Sequence, residues 1–266
     1  NGGTCMITAA SNSRIKRLVQ LNQKSKLRRT EDVFLAEGVK MFLEAPREQL
    51  QEVYVSESFL EKCSCREHLE EVGYEVVSDS VFSKISDTCT PQGVLCVLKQ
   101  FHYNIEEMLR DKAPLFLLLE NIQDPGNLGT MLRTGEGAGV SGIIMSRDTV
   151  DLYNPKVIRS TMGSIYRVPF YYADDFAAAV HQVQQAGVSV YAAHLRGKNS
   201  YACQGYTKGT AFLIGNEGNG LREETAELAD CYIRIPMEGK VESLNAAVAS
   251  SILMYEAHRQ RATIEK

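Results

Sequence analysis

Residues 213–221 read Leu213-Ile214-Gly215-Asn216-Glu217-Gly218-Asn219-Gly220-Leu221, an apolar strand end running into three glycines. Glycines there let the backbone turn sharply and come close to a ligand. The spacing is GxxGxG, not the GxGxxG of dinucleotide folds, and no ribose-binding acid follows at the usual distance. The other glycine cluster, Gly135, Gly137 and Gly139, closes a helix instead of opening one. A nicotinamide oxidoreductase therefore lacks its fingerprint. Glycine-rich loops at strand ends add nothing to a scaffold, which points away from a structural protein.

Working outward, two further segments are unusual for plain scaffold. Asn121-Ile122-Gln123-Asp124-Pro125-Gly126-Asn127-Leu128-Gly129 runs into Met131-Leu132-Arg133-Thr134, a strand end, a turn and a helix start. Asn127 is placed as an N-cap, and Arg133 lies six residues on, inside the helix. Ile235-Pro236-Met237-Glu238-Gly239-Lys240-Val241-Glu242-Ser243-Leu244-Asn245 opens the last long helix, with Ser243 as its expected cap. In open α/β sheets ligands bind beyond the carboxyl ends of strands, where these loops fall.

Around them the apolar pattern predicts strands at Leu115–Leu119, Gly142–Met145, Val188–Ala193, Ala211–Ile214 and Tyr232–Ile235. Helices are expected at 127–138, 174–186 and 243–260. Towards the N-terminus a smaller α/β module shows strands at Phe34–Ala36, Val53–Val55, Tyr74–Val77 and Val94–Val97. One helix is expected over Glu57–Val72 and a shorter one from Asp79. The division is a first domain over 5–100, a linker with a short helix over 101–112 and a second domain over 113–266. Residues 1–4 are read as lying ahead of a start at Met6.

The net charge of −4, from 29 basic and 33 acidic residues, speaks against nucleic acid when taken whole. Its distribution does not. Residues 1–30 hold Arg14, Lys16, Arg17, Lys24, Lys26, Arg28 and Arg29 and no acid. Ile15, Leu18 and Val19 sit at helical spacing beneath them, so the segment reads as an amphipathic helix with a basic face. That face is either simply solvated or a phosphate-contacting arm, with Arg14, Arg17, Lys26, Arg28 and Arg29 as candidates. The seven cysteines are odd in number and irregularly spaced, which fits a reducing cytoplasm. Cys63, Cys65 and His68 are the tightest cluster but fall short of the four ligands of a structural zinc site, so no metal is expected. No apolar run approaches the roughly 18–20 residues that span a bilayer.

Three patterns in fixed order, Asn127-x-Gly129-x-x-x-Arg133, Gly215-x-Glu217-Gly218-x-Gly220 and Ile235-Pro236-Met237 running to Ser243-Leu244-Asn245, resemble the motifs of the SpoU (TrmH-like) RNA 2′-O-ribose methyltransferases of the SPOUT superfamily. Asp124-Pro125-Gly126-Asn127 and Arg167-Val168-Pro169 match as well, and the resemblance covers roughly 113–260. The first module is similar to the L30e-like substrate-binding domain of many members. The resemblance implies an α/β catalytic domain with a trefoil knot, a smaller α/β domain before it and a homodimer, while the lack of a spanning apolar run leads to the expectation of no membrane partner. It implies S-adenosylmethionine held by Gly215, Ile235 and Leu244, with Leu213, Ile214 and Met237 nearby. It implies Arg133 as the main catalytic residue, surrounded by Asn127, Glu217, Ser243 and Asn245. The expected reaction moves a methyl group to a ribose 2′-hydroxyl of ribosomal RNA, chiefly 23S, with transfer RNA as the alternative. A non-catalytic RNA-binding protein on the same fold is the rival reading, and the intact Arg133, Glu217, Ser243 and Asn245 oppose it.

Overall fold

A computed structural model describes residues 5–264, so Asn1–Thr4 lie outside the described residues. Eleven strands appear among them: β1 (Val33–Glu37), β2 (Leu50–Ser56), β3 (Glu75–Val77), β4 (Val94–Lys99), β5 (Leu115–Leu119), β6 (Gly142–Ser146), β7 (Phe170–Ala173), β8 (Ser189–Ala193), β9 (Asn199–Ser200), β10 (Thr210–Ile214) and β11 (Cys231–Arg234). They form two sheets, and the chain divides into two units.

The smaller unit holds the chain up to Phe101 together with Asp151–Tyr166. Its sheet has the order β1-β4-β2-β3, antiparallel except for the β2–β3 pair. The basic segment forms two helices, Ser13–Gln23 and Ser25–Glu31, which part at the extended Lys24. Asn12 caps the first by accepting the Arg14 N–H at 2.9 Å. Ile15, Leu18 and Leu21 turn inward against Leu35, Tyr54, Val81 and Phe82. The single helix expected over Glu57–Val72 is instead two, Glu57–Lys62 and Arg66–Val72, because Cys63 takes an extended backbone. A helix missing from the sequence reading, Pro155–Thr161, is capped by Asn154 with proline at its start. That Asn-Pro pair was the available signal.

Burial also corrects one candidate of the basic face. Arg28 is 3% exposed. Its guanidinium donates to Leu21 O at 2.7 Å and Asn22 O at 3.1 Å and pairs with Asp151 at 2.8 Å. It fastens helix ends inside the unit and is not available to RNA. Arg14 pairs with Glu75, and Arg17 with both Glu31 and Glu52. Lys16, Lys24, Lys26 and Arg29 remain exposed, with no side-chain partner among the described residues.

The larger unit comprises His102–Val150 and the chain from Arg167. Its seven strands are all parallel, in the order β7-β6-β5-β10-β8-β11-β9. Each residue of β5, β6 and β10 is buried, as expected of parallel strands covered on both faces. β7 escaped the sequence reading because it is short and aromatic. The strand order reverses at β5: β6 and β7 lie to one side, and β10 returns to lie between β5 and β8. After β11 the chain doubles back, and its last helix, Ala246–Ile264, packs along the helix Pro125–Ala138. Arg261 anchors that return by donating to Ala113 O at 2.6 Å, Lys208 O at 2.8 Å and Tyr206 O at 2.9 Å. These carbonyls precede β5 and β10. Among the described residues no helix is long and apolar enough to cross a membrane.

The buried role of Arg28 predicts that Arg28→Ala lowers unfolding stability by about 2–4 kcal/mol, since it strands Asp151 and two carbonyls. Lys26→Ala, two residues away and exposed, is expected within about 0.5 kcal/mol of the parent. Urea denaturation of the two variants side by side measures the contrast, and equal midpoints would refute it.

Candidate active site

The carboxyl ends of β5, β10 and β11 carry the three motif segments. Helix Pro125–Ala138 starts earlier than expected: its cap is Asp124, which accepts the Asn127 N–H at 2.7 Å, and Pro125 fills the first turn. Asn127 is thereby released from capping. Its amide donates to Glu217 at 3.4 Å and its oxygen accepts from Asn245 Nδ2 at 3.0 Å. The last helix starts later than expected, at Ala246. Its cap is Asn245, whose Oδ1 accepts the N–H groups of Ala247 at 2.9 Å and Val248 at 3.2 Å. Ser243 is exposed and does not cap. Capping and contact with Asn127 thus use the two ends of one asparagine amide.

Glu217 is the hub. Its carboxylate accepts the backbone N–H of Asp124 at 2.8 Å and of Gln123 at 3.1 Å, besides the Asn127 amide. Burial by itself would raise its pKa, but these donors outweigh it and hold the carboxyl below the ordinary glutamate value. The chain Glu217–Asn127–Asn245 therefore ties together all three motifs across 90 and 118 residues of sequence.

The glycine loop is closed on itself. Asn216 and Gly220 exchange backbone hydrogen bonds of 3.1 and 2.9 Å, and Gly220 takes a positive φ of 68°. A Cβ on Gly215 would lie 2.2 Å from Leu221 N, so only glycine fits. Where the loop ends, the Arg222 N–H donates to Glu120 at 2.8 Å, and Thr225 Oγ1 donates to the same carboxylate. Glu120 is 2% exposed. It was missed in the sequence, although an acid ending the otherwise apolar run Leu115–Leu119 was a signal that something must satisfy it.

Beside this framework lies a cavity of about 550 Å³. Its walls include Gly215, Ile214, Ile235, Met237 and Leu244, together with Glu217 and Ser243. The volume falls within the range of small-molecule sites, roughly 300–1,000 Å³. Of the residues expected to hold a cofactor, only Leu213 stands apart: it is fully buried in the sheet core, among Phe116, Leu118 and Ala211. Strand alternation turns it to the side opposite its neighbour Ile214. Arg133 is exposed on its helix, outside the cavity wall and with no side-chain partner among the described residues.

The SpoU rRNA Methylase family model matches residues 114–255, and the MRM3-like substrate binding domain model matches residues 12–96. The chain is 32% identical over 252 residues to the 23S rRNA (guanosine(2553)-2′-O)-methyltransferase RlmP of Bacillus subtilis, spanning 94% of this chain and 97% of that protein. Among solved structures, the AdoMet-bound rRNA methyltransferase from Sinorhizobium meliloti superimposes with a TM-score of 0.83 at 31% identity, covering 96% of this chain and 97% of the other. The SpoU methyltransferase AviRb from Streptomyces viridochromogenes, in complex with AdoMet, gives 0.86 at 26% identity over 95% and 99%.

The hub position of Glu217 carries a pH sign. A carboxyl held below its ordinary value stabilises the folded loop fully above that value and loses the contribution as pH falls through its lowered one. A 13C-detected titration of Glu217 is expected to show a midpoint below that of glutamates that accept no backbone N–H. A midpoint at or above theirs would contradict the hydrogen-bonded hub.

Proposed function

We propose that this chain, which belongs to the SpoU rRNA methylase family, methylates a ribose 2′-hydroxyl of 23S ribosomal RNA with S-adenosylmethionine as methyl donor. The observation that carries the reading is the hydrogen-bonded chain Glu217–Asn127–Asn245 beside the cavity, which assembles three separated motifs into one site. The ribosomal target is supported by the RlmP relative, matched over nearly the whole of both chains.

The cavity suits the donor. Gly215 leaves its backbone bare at the wall, and Ile214, Ile235, Met237 and Leu244 offer apolar surface for a heterocycle. When bound, S-adenosylmethionine supplies a methyl group already activated by its sulfonium charge. The task left to the protein is to place and activate a weakly nucleophilic hydroxyl.

Glu217 does not take the proton, because its oxygens are occupied by the N–H groups of Gln123 and Asp124 and the amide of Asn127. Arg133 does not take it either, since a guanidinium stays protonated in proteins. Its unpaired charge binds the RNA phosphate next to the target ribose and steadies the developing alkoxide. Asn127 and Asn245 hold the geometry, and the exposed Ser243 hydroxyl at the cavity wall relays the proton towards water. The doubling back of the chain after β11 is read as the trefoil knot. The smaller unit holds the RNA through Lys26 and Arg29, joined by Lys16 and Lys24, while Arg28 is set aside as buried. Homodimerisation is supported by Val248 and Tyr255, 48% and 46% exposed and two helical turns apart on the last helix. A cytoplasmic site is supported by the seven free cysteines.

Methylation of total RNA from a strain lacking the protein, with tritiated donor, should label 23S RNA at one ribose. Label in transfer RNA alone would redirect the reading. Arg133→Ala should abolish turnover while donor affinity stays within about threefold, and near-normal turnover would remove Arg133 from the mechanism. Replacing Lys26 and Arg29 together by Glu should weaken RNA binding and flatten its log–log salt slope by about 1.5–2 units. An unchanged slope would make that face merely solvated.

A further inference from the structure

One side chain on the cavity wall has no part in the chemistry above. His194 directly follows β8, and its ring stacks on Tyr232 of β11 with centroids 4.8 Å apart and planes 22° apart. The Arg196 backbone N–H donates to its Nδ1 at 3.1 Å. An imidazole that accepts at Nδ1 is neutral there and carries its proton on Nε2.

The ring is fixed before any ligand arrives. The His194 N–H donates to Ile233 O at 3.0 Å, and the Gly197 N–H closes the turn onto His194 O at 2.9 Å. A Cβ on Gly197 would lie 2.8 Å from the Ile233 carbonyl carbon, which holds that turn against β11. Arg196 is itself held by Glu223 at 2.6 Å. No protein acceptor meets the His194 Nε2–H among the described residues. The side chains of Ile214, Ile235, Met237 and Leu244 donate nothing and Glu217 accepts, so on this wall the imidazole joins Asn219, Arg234 and Ser243 as a side-chain donor, and it is the one fixed by stacking. A preorganised donor on such a wall is what a polar ligand uses for orientation.

We propose that His194 is a donor-binding residue, whose Nε2–H hydrogen-bonds a polar acceptor atom of S-adenosylmethionine in the cavity. The proposal rests on the methyltransferase reading and assigns it a side-chain contact outside the three motifs. The product S-adenosylhomocysteine presents the same oxygen and nitrogen acceptors and serves as the probe.

Calorimetric titration of the full chain with S-adenosylhomocysteine tests it. His194→Phe keeps the stack on Tyr232 and removes the donor, and is expected to weaken binding about tenfold. His194→Gln offers an amide N–H near the Nε2 position and is expected to recover binding to within about threefold of the parent. Equal affinity of the parent and the Phe variant would overturn the proposal, and so would equal losses in Phe and Gln, which would make the ring a packing element. In the unaltered protein, the 15N resonance of His194 Nε2 should shift on saturation with the probe; a resonance that stays in place overturns the contact whatever the variants do. A parent chain that binds no S-adenosylhomocysteine would instead overturn the methyltransferase reading, and this contact with it.

Discussion

A carboxylate set against the backbone N–H groups of the N-cap and the residue before it, at the start of a helix, organises the larger unit. Backbone donors at a helix start have no partner within the helix and attract negative charge. Glu217 fills that need from a loop 93 residues away, and in doing so fixes where the glycine loop can lie. Everything beside it follows. Asn127, freed from capping by Asp124, bridges Glu217 to Asn245, and Asn245 divides its amide between that bridge and the last helix. The cavity is the space left when these loops are tied down. A glutamine could match the shape of Glu217 but not its charge, so the loops would meet with weaker hydrogen bonds.

The fold was readable where burial acts evenly on a whole element. Leu115–Leu119 and Ala211–Ile214 are apolar at every position because parallel strands are covered on both faces, and runs of that kind cannot be mistaken for exposed ones. Boundaries were misread where two residues compete for one job. Asp124 and Asn127 can each cap, as can Ser243 and Asn245, and local sequence does not say which is drawn away by a distant partner. In the first pair the tertiary contact draws Asn127 out of capping, whereas in the second Asn245 makes the tertiary contact and caps as well. Helix Glu57–Val72 failed for a different reason: nothing in Cys63-Ser64-Cys65 announces an extended residue.

Charge was the least legible property. Arg28 and Arg29 are neighbours of the same type in a short helix, yet one is buried among carbonyls and the other stands in solvent. Helical phase separates them by about a quarter turn, and the acid that draws Arg28 inward, Asp151, lies 123 residues on. The same holds at the site. The motifs named Asn127 and Asn245, which link to Glu217, but Glu120 acquires its role from Arg222 and Thr225 and His194 from Tyr232, all distant in sequence.

The grouping of Asp151–Tyr166 with the smaller unit has a consequence for how this chain can be taken apart. Tyr153 lies 4.7 Å from Phe34, centroid to centroid, its hydroxyl accepts the Phe101 N–H at 2.8 Å, and the Tyr166 hydroxyl donates to Met41 O at 2.8 Å. A fragment ending at the apparent linker would leave Phe34 and the Phe101 N–H without these companions, although its own strands were complete. The polypeptide visits the smaller unit twice, so no single cut yields two whole halves. The smaller unit is completed by a segment that the larger unit's sequence surrounds on both sides, so it must wait for that stretch of chain before it can close.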